Sequence, residues 1–223
     1  MKATDSRQRT VPVTCATRLR TISLGSDTGR AMQQAVPVGV GAMAALLGLE
    51  FDAAAAIAAE AAQGQVCQAA NDNGGGQVVV SGDKAAVERA VELAKERGAK
   101  RAMMLTVSAP FHCALMQPAA DAMAQALATT QVHAPKVPVV ANVLACPVSE
   151  PSEIVRSLVT QVTGTVRWRE SVAFMAQAGV KTFYEVGAGK VLSGLVKRIA
   201  PGAVGIAVGT PEDIAAIKAG RAA

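Results

Sequence analysis

Asn71-Asp72-Asn73-Gly74-Gly75-Gly76-Gln77-Val78-Val79-Val80-Ser81 is the stretch on which the fold turns. Six turn-forming residues stand directly before a β-branched run. Val66-Cys67-Gln68-Ala69-Ala70 on their other side is short and apolar, so the segment reads as two strands joined by a hairpin-like connection. Outward toward the N-terminus, Ala42-Met43-Ala44-Ala45-Leu46-Leu47 is another short apolar strand, and Phe51 to Ala62, alanine-rich with a single Glu60, reads as a helix beginning near Asp52. Outward in the other direction, Asp83 caps a helix whose apolar positions Ala86, Val87, Ala90, Val91 and Ala94 keep helical spacing, with charges on the opposite face and Gly98 as its stop. Arg101 to Val107 returns as a strand. The order β-α-β-β-α-β over 41–107 is the split βαβ, or ferredoxin-like, motif, and it predicts a four-stranded antiparallel sheet with two helices on one face.

Beyond that unit a helix is expected from about Leu115 to Thr129, then a buried strand from Val137 to Leu144 and helices over Ser152 to Val162 and Arg167 to Gln177. Thr182 to Val186 reads as a strand, Val191 to Ile199 as a helix, and Val204 to Val208 as a last strand before a helix from Glu212. Strands alternating with helices argue for a parallel α/β sheet over 108–223. Gly187-Ala188-Gly189-Lys190 lacks the G-x-x-x-x-G-K-[ST] spacing of a phosphate loop and reads as a tight turn.

Composition narrows the function classes. An apolar fraction of 51% with only 3% aromatic residues points to a core of small aliphatic side chains, and 223 residues suffice to bury one. Four cysteines, at 15, 67, 113 and 146, form no C-x-x-C pair and no spacing suited to zinc, which fits reduced thiols in a cytoplasmic setting. No apolar run is long enough to cross a bilayer. The net charge of +5 is concentrated in residues 1–30, which carry +4 of it, so the globular remainder is nearly neutral and offers nucleic acid no basic stripe. That first segment, rich in Arg, Ser and Thr, departs in texture from everything after Ala31. It reads either as an organellar transit peptide or as an incomplete or misread N-terminus, in both cases poorly ordered.

Chemistry centres on His112, in Val107-Ser108-Ala109-Pro110-Phe111-His112-Cys113-Ala114-Leu115-Met116, since the only other histidine is His133. An imidazole titrates near neutral pH without help, and one fixed at a strand-to-helix junction beside a proline suits a general acid/base. Further motifs stand in order along the chain: Gly29 to Pro37, Gly41-Ala42-Met43-Ala44-Ala45, Ala70-Asn71-Asp72-Asn73, Gly76 to Gly82, and Tyr184-Glu185-Val186-Gly187-Ala188-Gly189-Lys190-Val191-Leu192. Together with the histidine loop they resemble the malonyl-CoA:acyl carrier protein transacylases of fatty acid synthesis, from about Gly29 to the C-terminus.

The resemblance implies a partial hydrolase-like α/β domain into which the ferredoxin-like unit is inserted. It also implies transfer of a malonyl group from malonyl-CoA to the phosphopantetheine thiol of acyl carrier protein through an acyl-serine, by a monomeric enzyme with no cofactor and no metal. On that reading His112 is the general base, the backbone carbonyl of Gln161 orients it where other triads use a carboxylate, and Phe111 shapes the acyl pocket. Asn71 and Asn73 fall in the turn directed toward the acyl-chain entrance. Two departures follow from the same comparison. The family's Gly-Gln-Gly-Ser-Gln and Gly-His-Ser-Leu-Gly motifs are absent, with only Ser23-Leu24-Gly25 as an echo, and Thr28 stands where the family has its carboxylate-binding arginine. The alternative is therefore a non-catalytic chain that at most binds acyl carrier protein or coenzyme A. Cys113 is a sequence neighbour of His112, an arrangement that seldom makes a dyad.

Overall fold

The computed structural model describes residues 35–37 and 39–220, so the expectations for residues 1–30, for Ser23-Leu24-Gly25 and for Thr28 lie outside the described residues. These divide into two compact units, one running through Ser171 and the other from Val172.

In the first unit β1 (Gly41–Leu47), β2 (Cys67–Asp72), β3 (Gln77–Asp83) and β4 (Arg101–Met104) form a sheet in the order β2-β3-β1-β4, every neighbouring pair antiparallel. β1 and β3 pair along their whole length, from Gly41 opposite Asp83 to Leu47 opposite Gln77. Helices α1 (Phe51–Ala62) and α2 (Lys84–Glu96) place Ala54, Ile57, Ala58, Ala61, Ala86, Val87, Ala90, Val91 and Ala94 in one core with Ala42, Ala44, Leu46, Val78 and Val80. The alternate strand residues Met43, Ala70 and Val79 pack on Leu105 and Phe111 instead. Burial on both faces is why β1 and β3 read as continuous apolar runs. Leu46, Ile57, Val78, Val80 and Val87 are essentially inaccessible, and each contributes about 1.5–3 kcal/mol by leaving water.

Three details of this unit differ from the sequence expectation. Asn71 and Asp72 belong to β2, since pairing with Val79 and Val78 overrides their turn preference. Asp83 occupies the position before α2 but makes no side-chain cap. Its carboxylate instead accepts from the Val66 N–H at 2.7 Å while its own N–H donates to the Val66 carbonyl at 2.8 Å. Gly82 is required beside this clamp, because a Cβ there would lie 2.0 Å from the Val66 oxygen. β4 ends at Met104, although the Leu105 N–H still reaches the Met43 carbonyl at 2.8 Å.

After the histidine loop a 3₁₀ turn (Ala114–Met116) leads into α3 (Gln117–Ala128), with Pro118 in the first helical turn where its missing N–H costs nothing. α3 and α4 (Pro151–Thr163) enclose a second core of Met116, Ala119, Ala120, Met123, Leu127 and Val162. The strand expected over Val137 to Leu144 is corrected: β5 covers only Val139–Ala141 and pairs antiparallel with β6 (Cys146–Val148). Pro138 has no N–H for a ladder, and the chain turns at Asn142–Ala145, Ala145 taking φ 54°. α5 (Trp168–Gln177) follows.

In the second unit β7 (Thr182–Val186) and β8 (Val204–Val208) pair in parallel across α6 (Val191–Ile199), and α7 (Pro211–Gly220) comes last. Theirs is the one parallel strand pairing in a named sheet among the described residues, so the expectation of a parallel sheet over 108–223 holds only there. Glu185 accepts the Leu192 and Ser193 amides at 3.1 and 2.8 Å, tying β7 to the open N-terminus of α6.

Candidate active site

Pro110 is wholly buried, Phe111 half-buried, and between them and Cys113 the chain reverses at His112, whose φ of 61° lies in the left-handed region. A non-glycine residue takes this conformation at a cost of about 1–2 kcal/mol. The reversal aims the imidazole at the last turn of α4, where Nδ1 lies 2.9 Å from the Gln161 carbonyl oxygen. That carbonyl is one of the last four of the helix, which have no intrahelical amide to accept from. Its side chain closes the same end, Nε2 donating to the Gly164 carbonyl at 3.0 Å.

A carbonyl can only accept, so Nδ1 carries the hydrogen and the Nε2 lone pair points the other way. Burial pushes the His112 pKa below the ordinary imidazole value, and the bond to the Gln161 carbonyl, which favours imidazolium, offsets this only in part. The ring is therefore neutral at neutral pH, one tautomer fixed, with a basic nitrogen on the edge away from α4.

Cys113 turns inward. It is fully buried, its thiol bonds the Pro110 carbonyl at 3.1 Å, and burial raises its pKa, so it stays protonated and no Cys-His dyad forms. The next amide, Ala114 N–H, donates to the side-chain oxygen of Gln68 in β2 at 2.7 Å.

The structure brings His112 and Gln161 together and sets Phe111 against both the second core and the Met43, Ala70 and Val79 face of the sheet. Asn71 lies in β2, opposite Val79 and bridged to Val166 on its other side. Asn73 stands at the β2–β3 turn, its N–H donating to the Gln77 carbonyl at 3.0 Å. A bulge at Ala70 frees that residue's carbonyl for the Val166 N–H at 2.8 Å, while Thr165 Oγ1 donates to the Ala69 carbonyl at 2.8 Å. The segment after α4 is thereby pinned to β2.

Sequence reasoning missed Gln68 and the pair Asp72–Arg169. Asp72 is buried, and its carboxylate accepts from Arg169 Nε at 2.8 Å and from the Gly74 N–H at 3.2 Å, locking the turn to the start of α5. Gln68 carried a signal, as the one polar residue in an otherwise apolar run; Asp72 carried none beyond that of a turn residue. Among the described residues there is no group of three or more His, Cys, Asp or Glu placed to hold a metal, and no helix is long and apolar enough to cross a membrane.

Residues 21–202 match the family model described as the acyl transferase domain. The chain belongs to that family. Among acyl transferase relatives it is 51% identical over 178 residues to the malonyl CoA-acyl carrier protein transacylase of Haemophilus influenzae, a match covering 80% of this chain and 57% of that protein. With the Escherichia coli transacylase it is 50% identical over 84% of its own length and 61% of the relative's. The crystal structure of the acyl-carrier-protein-S-malonyltransferase from Bartonella henselae superposes with a TM-score of 0.86 at 52% identity, covering 91% of this chain and 65% of that one. The chain spans about three fifths of the length of the curated relatives it matches.

Proposed function

We propose that this chain carries the proton-handling part of a malonyl-CoA:acyl carrier protein transacylase site, with His112 as general base and the Gln161 carbonyl as its orienting partner. The carrying observation is the 2.9 Å bond from Nδ1 to the Gln161 carbonyl, which leaves Nε2 as the only ring atom free to take a proton. The names of the relatives support malonyl-CoA and acyl carrier protein as substrates, and a malonyl-transacylase 43% identical to this chain is known in complex with its type II PKS acyl-carrier protein.

In the first half-reaction Nε2 accepts the proton of a serine hydroxyl as its oxygen attacks the malonyl thioester. The carbon–sulfur bond breaks, and the imidazolium returns the proton to the departing coenzyme A sulfur. In the second, the carrier protein's thiol gives its proton to Nε2, its sulfur attacks the ester, and the serine oxygen leaves with that proton. Imidazolium forms briefly in each half, and the Gln161 carbonyl at the negative end of α4 stabilises it. Phe111 shapes the acyl pocket, and Asn71 and Asn73 offer amides toward the pantetheine arm. Residues 41–107 act as a ferredoxin-like subdomain set into a hydrolase-like α/β domain; the strand order β2-β3-β1-β4 supports this. A cytoplasmic setting goes with this reading, Cys67, Cys113 and Cys146 all being free thiols.

The full Gly-His-Ser-Leu-Gly motif does not occur in the sequence, which has only the echo Ser23-Leu24-Gly25. The test supplies it, by fusing residues 29–223 behind a segment bearing the Gly-Gln-Gly-Ser-Gln and Gly-His-Ser-Leu-Gly motifs and reading malonyl transfer to holo carrier protein by intact mass. His112→Ala should slow transfer by roughly two to four orders of magnitude, whereas Gln161→Ala, which keeps the carbonyl, should cost about tenfold or less. Equal losses at both positions, or an unaffected His112→Ala, would overturn the assignment.

A further inference from the structure

A left-handed, non-glycine residue persists only where its surroundings hold it there. The Gln161 carbonyl holds the His112 ring, and the Pro110 carbonyl receives the Cys113 thiol. Just after the reversal the loop holds itself through the Met116 N–H, which donates to the Cys113 carbonyl at 3.0 Å. A main-chain restraint from outside the loop comes from β2, where the Gln68 side-chain oxygen accepts the Ala114 N–H at 2.7 Å, across a separation of 46 residues. Both Gln68 and Ala114 are exposed, so the bond adds little to global stability.

Its place in the network gives it another role. β2 is also where the segment after α4 is pinned, through Thr165 to the Ala69 carbonyl and Val166 to the Ala70 carbonyl. The path from Gln68 through Ala114 to His112, on to the Gln161 carbonyl and the end of α4, and back through Thr165 to the residue beside Gln68, is a closed ring of contacts. We propose that Gln68 is a positioning residue for His112: by anchoring the Ala114 amide it keeps the left-handed reversal in place and so maintains the single tautomer that presents Nε2. This deepens the functional reading above and rests on it. Glutamine suits the post because its reach spans the gap and its amide oxygen accepts without adding a charge beside the imidazole.

The chain's two histidines make the test direct. Nitrogen-15 spectra of the two imidazoles, recorded through a pH titration of the chain as it stands, report tautomer and protonation at each ring, with exposed His133 as internal control. The wild type should show His112 in the Nδ1–H form. Gln68→Ala should turn this into a mixture of tautomers and move the His112 titration upward as the loosened ring gains water, while Trp168 emission and the His133 signals stay put. Gln68→Glu, whose carboxylate also accepts, should restore the Nδ1–H tautomer; Gln68→Asn, one methylene short, should behave as alanine does. If Gln68→Ala does not fold, the Glu and Asn variants carry the same comparison. A His112 tautomer and titration unchanged in Gln68→Ala, or an Asn variant indistinguishable from wild type, overturns the proposal. A wild-type His112 lacking the Nδ1–H form overturns the pairing with Gln161 instead, before any variant is compared.

Discussion

Replacing His112 by glycine should leave the protein more stable than replacing it by alanine, the reverse of the usual order. At an ordinary position glycine costs about 0.5–1 kcal/mol relative to alanine, because the unfolded chain has more freedom to lose. At φ 61° alanine must carry the left-handed penalty of about 1–2 kcal/mol, which glycine escapes. Both variants lose the bond to Gln161 and the same ring burial, so those losses cancel in the comparison, and glycine should lead by about 0.5–1 kcal/mol. Trp168 provides the assay: it is the sole tryptophan, it is 6% exposed, and it lies in the same unit as His112. Urea unfolding followed by its fluorescence should place the glycine variant's midpoint about 0.2–0.5 M above the alanine variant's, given a slope of roughly 2–3 kcal/mol/M. Alanine equal to or above glycine would mean that the backbone at 112 is not left-handed, and the account of how the ring is aimed would fall with it.

The remaining predictions concern charge. His112 has a depressed pKa in the folded state, so between that value and the ordinary 6.5 the unfolded chain binds more protons than the folded one; stability should rise with pH through that window and level off above it. Urea midpoints taken between pH 5.5 and 7 should show this slope in the wild type and a smaller one in His112→Gln, and parallel slopes would refute the buried neutral ring. Asp72→Ala should cost about 2–3 kcal/mol, while Asp72→Asn, which keeps an acceptor for the Gly74 amide and loses only the ion pair with half-exposed Arg169, should cost about 1 kcal/mol by the same unfolding assay.

The sheet and helices over 41–107 were legible because each strand is short, apolar and bounded by turn residues, and because the two helices keep a clean apolar spacing. What failed was local. Asn71 and Asp72 have turn chemistry, and only the partners on either side, β3 and Val166, draw them into a strand. Val137 to Leu144 is apolar enough for one strand, yet Pro138 and the reversal at Asn142–Ala145 make it half of a small antiparallel hairpin. His112 was legible as a motif and Gln161 through the family's pattern. The left-handed backbone at 112 was not, since nothing in the residue type signals it; Gln68 stood out as a polar residue in an apolar run, but its partner, 46 residues away, did not.

On the proposed reading of His112 as general base, the fixed tautomer dictates where a nucleophile stands. Nδ1 is committed to the Gln161 carbonyl at 2.9 Å, so a hydroxyl can give up its proton only at Nε2, across the ring and away from α4. With a hydrogen bond of about 2.8 Å at that end, the hydroxyl oxygen falls about 7.5 Å from the Gln161 oxygen. A serine brought up on the α4 side would meet a carbonyl and an N–H already paired, and no proton transfer could follow. Gln68, His112 and Gln161 all belong to one unit, so on the proposed assignment the imidazole is aimed before any nucleophile is present. What a nucleophile-bearing segment must then supply is an oxygen on the Nε2 edge and donors for the oxyanion, not a partner for the histidine.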